Sequence, residues 1–465
     1  MSVAIHFYDA ITAGKAPAEG QIVRYDSLMC DGSNASQALE MNVSLRSDVH
    51  VDLESAAESE LAAMNLLDGE SELFWAKLAH AHLTKPDCLH VGFGNTNRID
   101  SFIRFALYRN LLPYPCVGLP ANSHFLDVDT ILRAVHILRP EEYPWTQSPN
   151  PAKATALHHF LMWEVKAVGG NRAVRVRELL AETFATCPKL VGHALKLTSL
   201  ERIKAALGLD RGEVSDLEST TPSILVHPSI HSQRGFVLGL PVGVDITYPD
   251  ILYVADLEAD LSQLCDPSIS SYQDLVRTSP NQSSRPLVRV SLGRFPFCAP
   301  LSAIRPADAA RLHIDIGHVK RSTAQLRAAH HLPARLKDVP VLALASQPSD
   351  VYHLMWAGDF SQNDQALMVE LHRNPKSDWL RIAAKASDGR FRDLVVRMLS
   401  RDAPELLTEN QLAESQQYAR SRIPENFDIP LWVAEILKQA QDAGQVCSAA
   451  AGLVQLHKRF TRDIG

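Results

Sequence analysis

The run Cys88-Leu89-His90-Val91-Gly92-Phe93 has the character of a buried strand and closes on the turn-forming pair Gly94-Asn95. Directly after it, Ile99, Phe102, Ile103, Ala106 and Leu107 recur at the i, i+3, i+4 spacing of an amphipathic helix. A strand handed to a helix in this way belongs to a sheet flanked by helices, which restricts this part of the chain to an α/β architecture. Around it, Val3 to Tyr8, Gln21 to Leu28 and Met41 to Leu45 read as strands. Asp127 is placed to cap a helix that ends at Leu138, before Arg139-Pro140.

The character then changes. Ser223 to His227, Gly235 to Val244, Asp250 to Asp256 and Pro286 to Leu292 are β-rich runs separated by Gly, Pro, Asp and Ser, the pattern of a small barrel or sandwich. Beyond about residue 335, helical patterns dominate: Asp364 to His372, Phe391 to Ser400, Glu409 to Ala419 and Pro430 to Ala443. Thr408 followed by Gln411 has the form of a capping box. The expected division is an α/β domain over 1–188, a β-rich domain with flanking helices over 189–335, and a helical domain over 336–465.

Composition narrows the function classes. With 46% apolar and 21% charged residues among 465, the chain can build real cores and is not disordered. A net charge of −7 means that contact with nucleic acid would need a local basic groove. Seven scattered cysteines, with no Cys-x-x-Cys, read as reduced thiols, not as a disulfide framework or zinc site. No apolar run is long enough to span a bilayer, and the first residues read as a strand, not a signal peptide. The expectation is a soluble cytoplasmic protein without membrane contact.

Short anchors along the chain carry a family resemblance. They are Asp9-Ala10-Ile11-Thr12-Ala13-Gly14 at the end of the first strand, Gly92-Phe93-Gly94-Asn95 leading to Tyr108-Arg109-Asn110, and Leu138-Arg139-Pro140-Glu141. Leu225-Val226-His227, Ile304-Arg305-Pro306-Ala307-Asp308-Ala309 and Asp359-Phe360-Ser361 follow in order. Together they resemble bacterial exonuclease I, of the DnaQ-like DEDDh superfamily. The resemblance implies a ribonuclease H/DnaQ-like exonuclease domain, a small β-barrel domain and a C-terminal helical domain. The activity it implies is 3′-to-5′ degradation of single-stranded DNA.

That chemistry uses two Mg²⁺ ions held by four carboxylates, with a histidine as general base, because hard cations need oxygen ligands. Carried over residue by residue, the first Asp is Asp9 and the Glu two places on is Ile11. The second-motif Asp falls on Ile99, with Asp100 one place further, about 100° around a helix. The third motif places Arg172 at the histidine and Arg177 at the aspartate; a second register places Ala167 and Arg172 there. One family group of five remains. The resemblance therefore leads to a pseudoenzyme with no metal cofactor, in which Arg172 or Arg177 pairs with Asp9. The alternative is a divergent Mg²⁺-dependent exonuclease using Asp9, Asp100 and other acids.

The family also binds the C-terminal tail of single-stranded DNA-binding protein, and the arginines that clamp this tail match Arg139, Arg305 and Arg327. Two other pocket positions depart from the family at Ser223 and Pro300. Ordinary structural roles are expected for His159 and Glu164, for Asp127 and Asp129 at a helix start, for His330-His331, and for Phe93, Phe105 and Tyr108 in the core. The expected function is a catalytically degenerate protein that binds single-stranded DNA or a repair or defence partner. A protein-only scaffold is a further alternative.

Overall fold

The computed structural model describes residues 4–49, 66–115, 124–143, 170–209, 213–336 and 350–422, apart from a few single positions inside these ranges, together with positions 431, 434 and 438. The segment holding His159, Glu164 and Ala167, and most of the pattern Pro430 to Ala443, lie outside the described residues.

The first sheet is built on β1 (Ala4–Ala13) and β2 (Gln21–Asp31), an antiparallel pair in which Asp9 faces Asp26 and Ile11 faces Arg24. Short β3 (Asn34–Ala35) and β4 (Leu39–Asn42) add to β2. On the other side, β5 (Cys88–Gly92) and β6 (His124–Asp127) continue the sheet in parallel, giving the order β3-β2-β1-β5-β6. Parallel neighbours need crossover connections; α1 (Glu72–Leu83) lies on the connection into β5 and α2 (Asp100–Arg109) on that into β6, while α3 (Val128–Leu138) and α4 (Arg172–Thr186) follow β6. Asp127 caps α3 by accepting from the Asp129 N–H, and Asn171 caps α4 by accepting from the Val174 N–H. Between β5 and α2, Asn95–Ile99 form a π-type turn after Gly94, whose φ of +67° suits glycine.

A second sheet has the order β10 (Val276–Arg277), β11 (Leu287–Ser291), β9 (Ile251–Asp256), β8 (Phe236–Val244), β7 (Ser223–Val226), β12 (Phe297–Pro300). Its core is apolar on long central strands, with Leu225, Leu238, Leu240 and Val254 fully buried. Among the described residues this sheet is open: no pairing joins β10 to β12, where a barrel would close. The end strands are two and four residues long, and β12 finishes on Pro300, which has no N–H to donate to a further ladder bond.

The last part is helical, with α5 (Ile316–Ala328) leading to α6 (Gln362–Arg373), α7 (Gly389–Asp402) and α8 (Glu409–Ser421). Its core, centred on Tyr352, Met355, Leu371, Phe391 and Met398, also takes in Phe105, Tyr108 and Leu111 from α2 and the turn after it. The last domain therefore packs on the back of the helix whose start faces the first sheet. A buried polar hub fixes this junction. Glu72 accepts from Arg46 at 2.5 Å, Arg109 at 2.9 Å, Asn110 at 3.2 Å and Arg401 at 3.4 Å. These cations hold the Glu72 carboxyl far below the usual carboxylate range against the opposing effect of burial.

Candidate functional site

Asp9 is buried at the middle of β1. Its Oδ1 accepts from the Ala10 N–H at 2.9 Å and its Oδ2 from Arg172 Nε at 2.6 Å. Burial pushes the Asp9 carboxyl up, and the guanidinium and the N–H pull against that. Across the strand pair, Asp26 accepts from Arg24 Nε at 3.0 Å, Arg24 Nη2 at 3.1 Å and the Arg172 N–H at 2.8 Å. The N-terminus of α4 thus points at two buried carboxylates, which its dipole favours. Arg172 opens the inward face of α4 with Ala173, Val176 and Leu179. Arg177, five residues on and about 140° around the helix, is on the flank. Of the two sequence candidates, the structure puts only Arg172 against Asp9. Arg175 is bound to Glu182 and Glu178.

Ile11 and Ile99 are buried, Ile99 within the main hydrophobic core. Asp100 begins α2 and accepts from Tyr8 Oη at 2.6 Å; burial pushes its carboxyl up to about 6. Asp127 accepts from the N–H groups of Gly94 and Thr96, the Thr96 hydroxyl and the Asp129 N–H. Asp129 is tied to Arg133 at 2.9 Å. Among the described residues no group of three or more His, Cys, Asp or Glu side chains is disposed to hold a metal ion. Both oxygens of Asp9 already have donors, one of them a cation. Among the described residues, those around Asp9 do not fit a pair of hard divalent ions.

A cleft of about 740 Å³ opens where the three domains meet. Arg104 from α2, Arg289 from β11 and Arg294 from the turn after it give it cationic walls, with Tyr114 and Trp356 as aromatic ones. Trp356 is 39% exposed and stands edge-on to Phe105. Burial pulls the Arg294 guanidinium down, while Asp250 and Asp100 oppose that. Asp100, Ser229 and His231 also line this cleft. Phe93, Phe105 and Tyr108 are core residues, as their spacing predicts.

Of the three tail-clamp candidates, Arg139 and Arg327 line two different cavities. Arg139 and Arg305 both engage Asp308, and Arg305 also engages Glu141 at 2.6 Å. Arg139 lines a cavity of about 550 Å³ against Phe297 and Pro300, whereas Arg327 lines another of about 760 Å³ beneath α5 and lies 3.5 Å from Glu218. Pro300 touches both cavities.

The chain matches the family description "Exonuclease I SH3-like domain" over residues 214–339 and "Exonuclease I C-terminal domain" over 349–456. The chain is an exonuclease I-like protein. The exodeoxyribonuclease I of Haemophilus influenzae is 23% identical over 375 residues, covering 76% of each protein. In fold, this exonuclease I-like chain is similar to Escherichia coli exonuclease I in complex with a dA16 oligonucleotide, with a TM-score of 0.81 and 16% identity over 99% of both chains. It is similar at a TM-score of 0.81, 17% identity and complete coverage to a solved complex of SSB and exonuclease I with the inhibitor CFAM. No helix among the described residues is long and apolar enough to cross a membrane.

Sequence reasoning missed two groups. The cleft arginines and Trp356 come from three domains, and no local pattern joins them. The His227-x-Ser229 pair was readable, since a side chain bonding two residues on is a local turn motif.

Proposed function

We propose that this exonuclease I-like chain binds single-stranded DNA in the three-domain cleft without hydrolysing it. The observation that carries the reading is the Arg172 guanidinium on Asp9, a fixed positive charge at the one carboxylate kept from the family's metal-binding set. An arginine there satisfies the buried anion and repels a divalent ion at the same spot. Ile11 and Ile99 remove two further ligands, and Asp100 is held by Tyr8 on another side of the turn.

The cleft supports the binding half of the proposal. Arg104, Arg289 and Arg294 suit a phosphodiester backbone, and Tyr114 and Trp356 suit unpaired bases, the combination that single-strand grooves use. The related Escherichia coli enzyme is known in complex with an oligonucleotide, which agrees with a strand in this fold. A protein partner such as the SSB of the related complex is a lesser part of the proposal, because Arg139 and Arg305 are already engaged by Asp308 and Glu141.

The test has two arms. A 3′-labelled oligonucleotide is incubated with the full chain and Mg²⁺ or Mn²⁺, and its fluorescence anisotropy is followed in parallel with EDTA. The expected result is binding that survives EDTA and no shortening of the strand. Shortening abolished by Asp9→Ala would overturn the pseudoenzyme and favour a divergent exonuclease using Asp100. Absence of binding would favour a protein-only scaffold.

A further inference from the structure

A chain of hydrogen bonds on the wall of the cleft sets the direction of one hydroxyl. Asp127 Oδ2 accepts from Thr96 Oγ1 at 2.6 Å, and a carboxylate has no proton to return, so the Thr96 hydrogen is committed there. Thr96 Oγ1 also lies 3.1 Å from His227 Nε2 and can only accept from it. The imidazole proton is therefore on Nε2, and Nδ1 is bare. Nδ1 receives the Ser229 N–H at 3.0 Å and the Ser229 hydroxyl at 2.7 Å. His227 is buried, and burial pulls it down to about 3, so the ring stays neutral and this polarity holds at physiological pH.

The consequence falls on the cleft. Ser229 lines it with its hydrogen turned inward to His227, which leaves oxygen lone pairs facing the space. Arg104, Arg289 and Arg294 on the same walls can only donate. Asp100 and Asp250 each accept one hydrogen bond within the protein, from Tyr8 and Ser291, and Ser101, Ser232, Tyr248 and His231 line the cleft as further polar groups. Ser229 is one of the neutral groups among these cations, the one whose hydrogen is turned to a buried, neutral imidazole. The cations suit phosphates, so the complementary group for Ser229 is an N–H donor on the ligand.

We propose that Ser229 selects bases, accepting a hydrogen bond from the exocyclic amine of adenine or cytosine in a strand lying in the cleft. Thymine offers a carbonyl at the corresponding position, which two facing acceptors would repel. The proposal rests on the strand-binding reading above and adds a base preference to it.

Fluorescence anisotropy on the full chain tests it with four oligonucleotides of equal length. One carries adenine, and a second carries purine, which lacks only the amine. Cytosine and thymine strands form the other pair. The amine-bearing strand of each pair is expected to bind about five-fold tighter, the worth of roughly one hydrogen bond. Ser229→Ala is expected to bring the adenine and purine strands to the same affinity, because the backbone N–H still holds His227. Ser229→Thr, which restores the hydroxyl, is expected to restore the ratio. Equal binding of all four strands, or a ratio that Ser229→Ala leaves intact, would overturn the selectivity alone. No binding of any strand would overturn the strand-binding reading and this proposal with it.

Discussion

Arg172 Nε and Asp9 Oδ2 lie 163 residues apart in sequence and 2.6 Å apart in space, with both side chains largely shielded from water. Removing one member of such a pair strands the other as a buried charge, a loss of about 3 kcal/mol or more. Arg172→Met should therefore lower stability in urea by about that amount, and Asp9→Asn combined with Arg172→Met should recover most of it. Two single variants whose losses simply add would refute the coupling.

Glu72 is expected to be more sensitive. Glu72→Ala leaves Arg46, Arg109 and Arg401 crowded without their shared acceptor, while Asp48 neutralises only part of that charge. A loss of about 3 to 5 kcal/mol is expected. Because Arg401 is on α7 and Glu72 on α1, calorimetry should also show the single transition splitting as the domains uncouple.

His90 should give the fold an acid-labile component. Its ring is buried against His6 at 3.2 Å, and burial pulls it down to about 4 from an ordinary 6.5. The unfolded chain takes up the proton first on acidification. The stability contributed by neutral His90 is then complete above about pH 6.5 and is lost progressively down to about pH 4. Asp100 and Asp127, raised to about 6 by burial, act in the opposite sense. The contribution of His90 is therefore best read as a difference. His90→Asn should lose about 3 kcal/mol less than the parent between these pH values. Parallel pH profiles for the two proteins would contradict this.

Trp356→Ala should weaken oligonucleotide binding by about ten-fold, the worth of one stacked base. Arg289→Ala should flatten the dependence of affinity on salt by about one unit of slope. An affinity indifferent to both changes would place the strand elsewhere.

Much of the architecture could be read locally. The strand ending at Gly92, the helical spacing from Ile99 to Leu107 and the Asp127 cap depend on neighbours a few residues away, and each is where its pattern places it. The Thr408-Gln411 capping box forms as written. The choice between Arg172 and Arg177 could not be read, because it depends on where α4 begins, and a shift of a few residues turns either side chain inward. Glu72 follows the capping Ser71 and reads as a solvent-facing acid in a first helical turn. Its partners lie 26 to 329 residues away, so nothing nearby discloses its burial. The absence of a closing pair between β10 and β12 among the described residues was equally hidden, since alternation marks strands but not whether the first and last of them meet.

The Glu72 hub also limits how the chain can be cut. A fragment ending before residue 350 would keep Glu72, Arg46 and Arg109 but lose Arg401 and the Tyr352 ring over which both remaining guanidinium groups lie. It would also bare Phe105, Tyr108 and Leu111 to water. The first domain is thus no detachable module: inheritance, recombination or truncation must carry beginning and end together.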